Sequence, residues 1–199
     1  MADPYAPVWR EALPYLRARK NDVHVPLSFD FAERLLAEDP TANREVVLLG
    51  ILLHDIGWAL VDQDAIFREA FGPGKMKSDI RIAHEKGGAR LAREILERLG
   101  YADETIAHVV AIIDGHDSRP HAISHEDELV KDADKLWRFT VTGVSISSDW
   151  FRLTPAAYIA RGVQIMDLLF TPAALEIARD ELAHTRRLLR VDVLADPAT

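Results

Sequence analysis

The chain has 199 residues, 48% of them hydrophobic and 28% charged. That suits one domain with a sizeable core, because a chain of this length buries roughly 70% of its unfolded surface on folding. The 24 basic and 32 acidic residues leave a net charge of −8, which gives no field to hold a polyphosphate backbone, so a small ligand is expected rather than extended nucleic acid. With no cysteine, disulfides, zinc fingers and a cysteine nucleophile are excluded, and any metal must bind through nitrogen and oxygen. The longest apolar stretch lies within Val46 to Leu53, far short of the roughly 20 residues of a membrane span. Met1 to Pro14 lacks a basic start followed by an apolar core, so no secretory signal is read and a cytoplasmic location is expected.

The first predicted helix runs near Pro7 to Arg19, and the second from Asp22, as N-cap, to about Glu38, with Pro26 in its first turn. A third, apolar on several sides, spans about Ala42 to Ile56 with Gly57 as its stop, and should be the central buried helix. A short helix around Asp62 to Ala70 leads to Phe71-Gly72-Pro73-Gly74-Lys75, a glycine-rich connection suited to a lid. Ser78 caps a long helix to Leu99, closed by Gly100; another covers about Asp103 to Gly115. After a loop at Ser118 to Ser124, helices are read over Glu126 to Thr140, Pro155 to Phe170 and Pro172 to Val191, the last two as an antiparallel pair. Phe139 to Ile146 is the one β-branched run that suggests a strand. The chain is read as all-α, a single helical domain over 1–199 with its core at 22–139 and C-terminal helices at 155–191.

Five polar residues interrupt the apolar stripes of these helices. His24 shares a face with Leu27 and Phe31, His54 follows Gly50 and Ile51, and His84 belongs with Ile80 and Leu91. His116 follows Ile112 and Ile113, and Asp134 lies with Val130, Ala133 and Trp137. Asp55 adjoins His54. A lone inward histidine is ordinarily a hydrogen-bonded core residue. Several imidazoles and two carboxylates in one interior are another matter, since each costs several kcal/mol unless paired. A divalent cation supplies that pairing, and imidazole with carboxylate suits Mn, Fe, Co, Ni, Zn or, with fewer histidines, Mg. Each histidine falls on a different helix, as convergence on one internal site of a bundle requires.

His24, the pair His54-Asp55 in Leu-Leu-His-Asp-Ile-Gly, and Asp134 in Lys-Asp-Ala-Asp-Lys-Leu resemble the HD-domain metal-dependent phosphohydrolase superfamily over about Asp22 to Phe139. The resemblance implies an HD-domain-like helical bundle in which His24, His54, Asp55 and Asp134 ligate one metal. Asp132 competes for the last role, and the family pattern favours Asp134. Members with a second metal hold it through further histidines, the central Asp bridging, and His84 and His116 match those positions. Binuclear members often have two consecutive histidines where this chain has Gly115-His116-Asp117. The second site is therefore left as weaker, completed by Asp117, or absent; with one metal, His84 and His116 would contact phosphate or protonate a leaving group.

The implied activity is a phosphatase, nucleotidase or phosphodiesterase that hydrolyses a small phosphate monoester or nucleotide with a metal-bound water. The cation acidifies that water and neutralises phosphate oxygens, and Asp55 orients it, so the expected catalytic set is Asp55, His84 and His116. Arg119 in His-Asp-Ser-Arg-Pro is the preferred phosphate ligand because a planar fork suits bidentate recognition; Lys86 and Lys77 follow. Two other readings stand beside this one: a di-iron oxygenase of the same superfamily, and a catalytically silent metal-binding regulatory module. The apolar C-terminal helices are expected mostly to complete the core, with a homodimer face as the alternative.

Overall fold

The computed structural model describes residues 3–62, 66 and 78–194, and every regular element among them is helical. In chain order these are α1 (Ala6–Ala12), α2 (Asn21–Glu38), α3 (Arg44–Leu53), α4 (Asp79–Arg98), α5 (Asp103–Ile113), α6 (His125–Leu136), α7 (Val141–Phe151), α8 (Pro155–Met166) and α9 (Pro172–Leu188), with short 3₁₀ segments between them and a closing turn at Val191–Leu194. The all-α bundle expected from the sequence is what forms. Among the described residues no helix is long and apolar enough to cross a membrane.

Helix α3 is the centre. Asn43 starts it by accepting the Glu45 and Val46 amides, and every residue from Val46 to Leu53 is buried. A helix apolar all round must be surrounded, and α1, α2, α5 and α6 pack against it. Its expected stop at Gly57 moves forward to Leu53, and Ile56–Leu60 continues as a 3₁₀ turn. Gly57 serves a different purpose there. A Cβ at Gly57 would lie 1.9 Å from the His84 carbonyl oxygen and 2.6 Å from the Gly88 nitrogen, so this turn and α4 touch backbone to backbone. That crossing brings Asp55 beside His84.

Two other expectations shift. The first helix stops at Ala12, because Pro14 lacks an amide hydrogen and crowds the preceding turn. The chain then passes through a 3₁₀ turn, Ala18–Lys20, in which Arg19 and Lys20 take positive φ of 51° and 60°. The run from Phe139 is helical from Val141: Thr140 accepts the Gly143 amide at 3.0 Å, and Gly143, Val144, Ser147 and Ser148 form a buried helical stripe. Packing overrides the β preference of the branched side chains. The helix read over 62–70 and the lid at 71–75 lie outside the described residues, apart from Asp62 and Ile66.

The C-terminal helices dock through α6. Asp132 accepts the Phe170 amide at 2.8 Å, the Thr171 amide at 2.9 Å and the Thr171 hydroxyl at 2.8 Å, while Ala174, Ala178 and Leu182 of α9 are buried. Ile165 and Leu169 pack on the core, and Leu168 is exposed.

Candidate metal centre

The geometry starts from how each imidazole is held. His54, just past the end of α3, donates from Nδ1 to the Ile51 carbonyl at 2.7 Å, and His116, after α5, donates from Nδ1 to the Ile113 carbonyl at 3.0 Å. A carbonyl accepts only, so both Nδ1 atoms carry hydrogen and both Nε2 atoms are presented inward. His24, one turn into α2, has Nδ1 at 3.2 Å from the Ser28 hydroxyl.

The inward atoms then meet. Nε2 of His24 and Nε2 of His54 are 3.0 Å apart. Asp134 Oδ1 lies 3.2 Å from the first and 3.5 Å from the second, and Asp55 Oδ2 lies 3.4 and 3.7 Å from them. An ion with bonds of about 2.1 Å places neighbouring donors about 3.0–3.4 Å apart, so these four atoms suit the corners of one coordination shell. The other Asp55 oxygen faces a second group: Oδ1 is 3.4 Å from His116 Nε2 and 3.8 Å from His84 Nε2. The two Nε2 atoms there are 3.4 Å apart, and Asp117 Oδ2 is 3.8 Å from His84. Asp55 thus stands between two donor groups with one oxygen toward each.

All six of His24, His54, Asp55, His84, His116 and Asp134 are buried. Burial and the neighbouring His116 push His84 down to about 3, so it is neutral. Burial alone would lower His116 too, but hydrogen bonding to Asp55 and the charges of Asp117 and Glu85 carry it up to about 9. Burial opposes the charge on Asp55, yet His54, His116 and Arg19 hold its carboxyl well below the usual range; Arg138, His24 and His54 do the same for Asp134. A cation needs ionised carboxylates and neutral imidazoles, so an ion bound at His116 would displace a proton. The buried Nδ1 of His84 has no hydrogen-bond partner. Its Nε2 faces His116 Nε2 at 3.4 Å, with the Asp55 and Asp117 oxygens at 3.8 Å.

A supporting layer holds these side chains. Trp58 donates from Nε1 to Asp55 Oδ1 at 2.8 Å and stacks on His84 with centroids 3.7 Å apart. Asn21 donates to the Asp55 carbonyl at 3.1 Å. Buried Glu85 accepts the Asp117 amide, the Ser118 amide and the Ser118 hydroxyl at 2.7–2.8 Å. Buried Lys131 donates to the carbonyls of Gly115, His116 and Arg119. A carboxylate thus takes the amides and an ammonium the carbonyls of one loop, which fixes His116 and Asp117. Three arginines flank the carboxylates: Arg19 at 3.8 Å from Asp55, Arg81 at 3.3 Å from Asp117 and Arg138 at 3.7 Å from Asp134. A narrow cleft of about 10 Å³ reaches His24, Asp55 and Asp134 between Arg19, Arg138, Trp137 and Trp150.

The structure brings His24, His54, Asp55 and Asp134 together, and places His84, His116 and Asp117 beside them. It separates Asp134 from Asp132, which anchors the C-terminal helices instead. Arg119 is not placed as a phosphate ligand. Its guanidinium bonds the Asp114 carbonyl at 2.8 Å, the Ala111 carbonyl at 3.3 Å and Asp127 at 3.0 Å, so its donors close the end of α5. Lys86 sits two residues after His84, about 200° round the helix, and is exposed. Lys77 lies outside the described residues. Sequence reasoning missed Asn21, Arg19, Arg138, Glu85 and Lys131. Arg138 was within reach as the i+4 neighbour of Asp134, and Glu85 as an acid on the buried face of α4.

A family model described as the HD domain matches residues 29–138, more than half of the chain; His24 lies just upstream of that span. The crystal structure of an HD-superfamily hydrolase from Bacillus thuringiensis is similar over 96% of each chain, with a TM-score of 0.60 at 18% sequence identity. No curated protein matches the sequence. The matched span contains His54-Asp55 and Asp134 in the arrangement described above, and the chain belongs to the HD-domain family.

Proposed function

We propose that this protein is a metal-dependent phosphohydrolase acting on a small phosphate monoester or nucleotide. The observation that carries the reading is Asp55, whose two oxygens face separate groups of converging imidazole nitrogens. His24, His54, Asp55 and Asp134 would hold one divalent ion; His84 and His116, with Asp55 and Asp117, would hold a second. Mn, Fe, Co, Ni and Zn suit these donors. Bound there, such ions supply charge against the phosphate oxygens and acidify a water at neutral pH.

The chain's own residues do the rest. Trp58 fixes the Asp55 carboxylate, and Glu85 with Lys131 fixes the loop that carries His116. Burial keeps His84 neutral, so its nitrogen is available as a donor across the working pH range. Trp137 and Trp150 line the cleft beside Arg19 and Arg138.

The test is phosphate release from a panel of nucleotides and sugar phosphates with Mn, Co, Fe or Mg. Metal-dependent release is expected, and none across the panel overturns the proposal. The second donor group also favours a di-iron oxygenase reading. Undiminished turnover without oxygen excludes that reading, and oxygen consumption in place of phosphate release would establish it. A silent regulatory module predicts metal binding with neither reaction.

A further inference from the structure

The four central imidazoles sit at different places on their helices, and that decides what can hold their outer nitrogens. His54 is the C-cap of α3, and His116 follows the last residue of α5 by three positions. Carbonyls in the last turn of a helix lack an intrahelical donor, so those of Ile51 and Ile113 can accept from the Nδ1 atoms of these two rings, at 2.7 and 3.0 Å. His24 and His84 lie inside α2 and α4, where the neighbouring carbonyls are spent on the helix itself. A partner for Nδ1 must then come from a side chain. Helical side chains lean toward the N-terminus, so the residue at i+4 leans over residue i.

For His24 that residue is Ser28, fully buried, with its hydroxyl 3.2 Å from Nδ1. For His84 it is Gly88. A Cβ at Gly88 would lie 3.2 Å from the Gly57 nitrogen and 3.4 Å from the Gly57 Cα, so the backbone crossing that brings Asp55 beside His84 also keeps this position small. Among the described residues the buried Nδ1 of His84 has no partner. The two mid-helix histidines therefore differ by one hydroxyl.

We infer that Ser28 is a positioning residue of the metal centre, whose hydroxyl holds the His24 ring with Nε2 toward His54, Asp55 and Asp134. The inference rests on the metal centre of the reading above and is independent of the substrate. With Nε2 donating to a cation, the hydrogen of the neutral ring sits on Nδ1, and Ser28 Oγ is the acceptor that keeps it there. Trp137 packs on the same ring with centroids 4.8 Å apart. That contact limits the tilt of the ring but does not tell Nδ1 from Cδ2, whereas the hydroxyl does. Nε2 is thereby held 3.0 Å from His54 Nε2 and 3.2 Å from Asp134 Oδ1.

Zinc titration of the full chain against a competing chelator, read by NMR of its nitrogen-labelled histidines, tests the assignment. In the unsubstituted protein, zinc at the His24–His54 group should leave a slowly exchanging hydrogen on His24 Nδ1. Ser28→Ala should weaken zinc at that group by about 10–100-fold, the usual worth of a partner behind a metal-bound imidazole. The His84–His116 group should keep its affinity, and the Nδ1 hydrogen of His24 should exchange with water. Unchanged zinc affinity in Ser28→Ala overturns the inference, and so does an equal loss at both groups, which marks a general loss of packing. Zinc bound through Nδ1 of His24 in the unsubstituted protein overturns it whether or not the variant folds. Failure of the unsubstituted protein to take zinc at His24 and His54 sinks the metal centre itself and is read from the same titration.

Discussion

Gly57→Ala probes the centre without replacing a proposed ligand. The added Cβ would sit 1.9 Å from the His84 carbonyl oxygen, 2.6 Å from the Gly88 nitrogen and 2.9 Å from the Gly88 Cα. All three are backbone atoms, so no side chain can swing away. Restoring ordinary contact of about 3.4 Å requires the 3₁₀ turn and α4 to part by about 1.5 Å. Overpacking of this kind costs about 1–3 kcal/mol, or a fall in Tm of about 2–12 °C for a chain of this size. The functional consequence is more selective. His84 rides on α4 and would draw away from Asp55 Oδ1 and His116, which now lie 3.8 and 3.4 Å from it. His24, His54 and Asp134 come from α2, the end of α3 and α6, none of which the clash displaces. The variant should therefore lose metal from the His84–His116 group, keep it at the His24–His54 group, and lose at least about 100-fold in turnover. Thermal melting, elemental analysis and phosphate release measure the three effects. A variant with unchanged Tm and full metal content would refute the reasoning that this backbone contact sets the spacing of the two groups.

Asp55→Ala should abolish metal-dependent turnover and lower the metal content of both groups, which elemental analysis and a phosphate assay will show. Glu85→Gln keeps the shape of a side chain that accepts three bonds but removes its charge; metal affinity at the His84–His116 group should fall about 10–100-fold, with the other group unaffected in a competition titration. Asp132→Ala removes three bonds that hold the start of α9 and should cost about 2–4 kcal/mol in a denaturant titration, with metal content unchanged. The pH dependence of the chelated protein has a definite sign. His116 is raised from its ordinary value to about 9, so the stability it contributes is complete below about pH 6.5 and is lost as pH rises through about 9. Chelated protein should therefore melt lower at pH 9 than at pH 6.5, by an amount on the order of 3 kcal/mol, and saturating manganese should remove that fall because it displaces the same proton.

The candidate ligands were legible because each is a polar residue on an otherwise apolar helical face, and burying such a group without a partner is costly. Spacing put His24, His54, His84 and His116 on different helices; the structure has His24 and His84 within helices and His54 and His116 just past the ends of two others, and the bundle brings the four together. Arg119 shows the limit of proximity in sequence. It follows His116 closely, but the chain turns at Gly115, whose φ is 111°, and the guanidinium is spent on carbonyls at the end of α5. Arg19 shows the converse. Nothing in the pattern signals that two consecutive non-glycine residues adopt left-handed backbone, and without that kink Arg19 would continue a helix instead of meeting Trp58 and Asp55. Helix α7 was hidden for a third reason: its β-branched residues suit a strand locally, and only contact with Trp137 and the core makes the helix the better choice. Gly57 was read as a helix stop because close approach of two backbones is a property of the packed molecule, not of either segment.

The most direct measurement is anomalous diffraction at the manganese edge from crystals of the full chain soaked in manganese. The account predicts one peak within about 2.2 Å of His24 Nε2, His54 Nε2, Asp55 Oδ2 and Asp134, and a second beside His84 and His116 on the Oδ1 side of Asp55. A cluster that stays without anomalous signal at millimolar manganese, or a peak bound elsewhere on the surface alone, would contradict it.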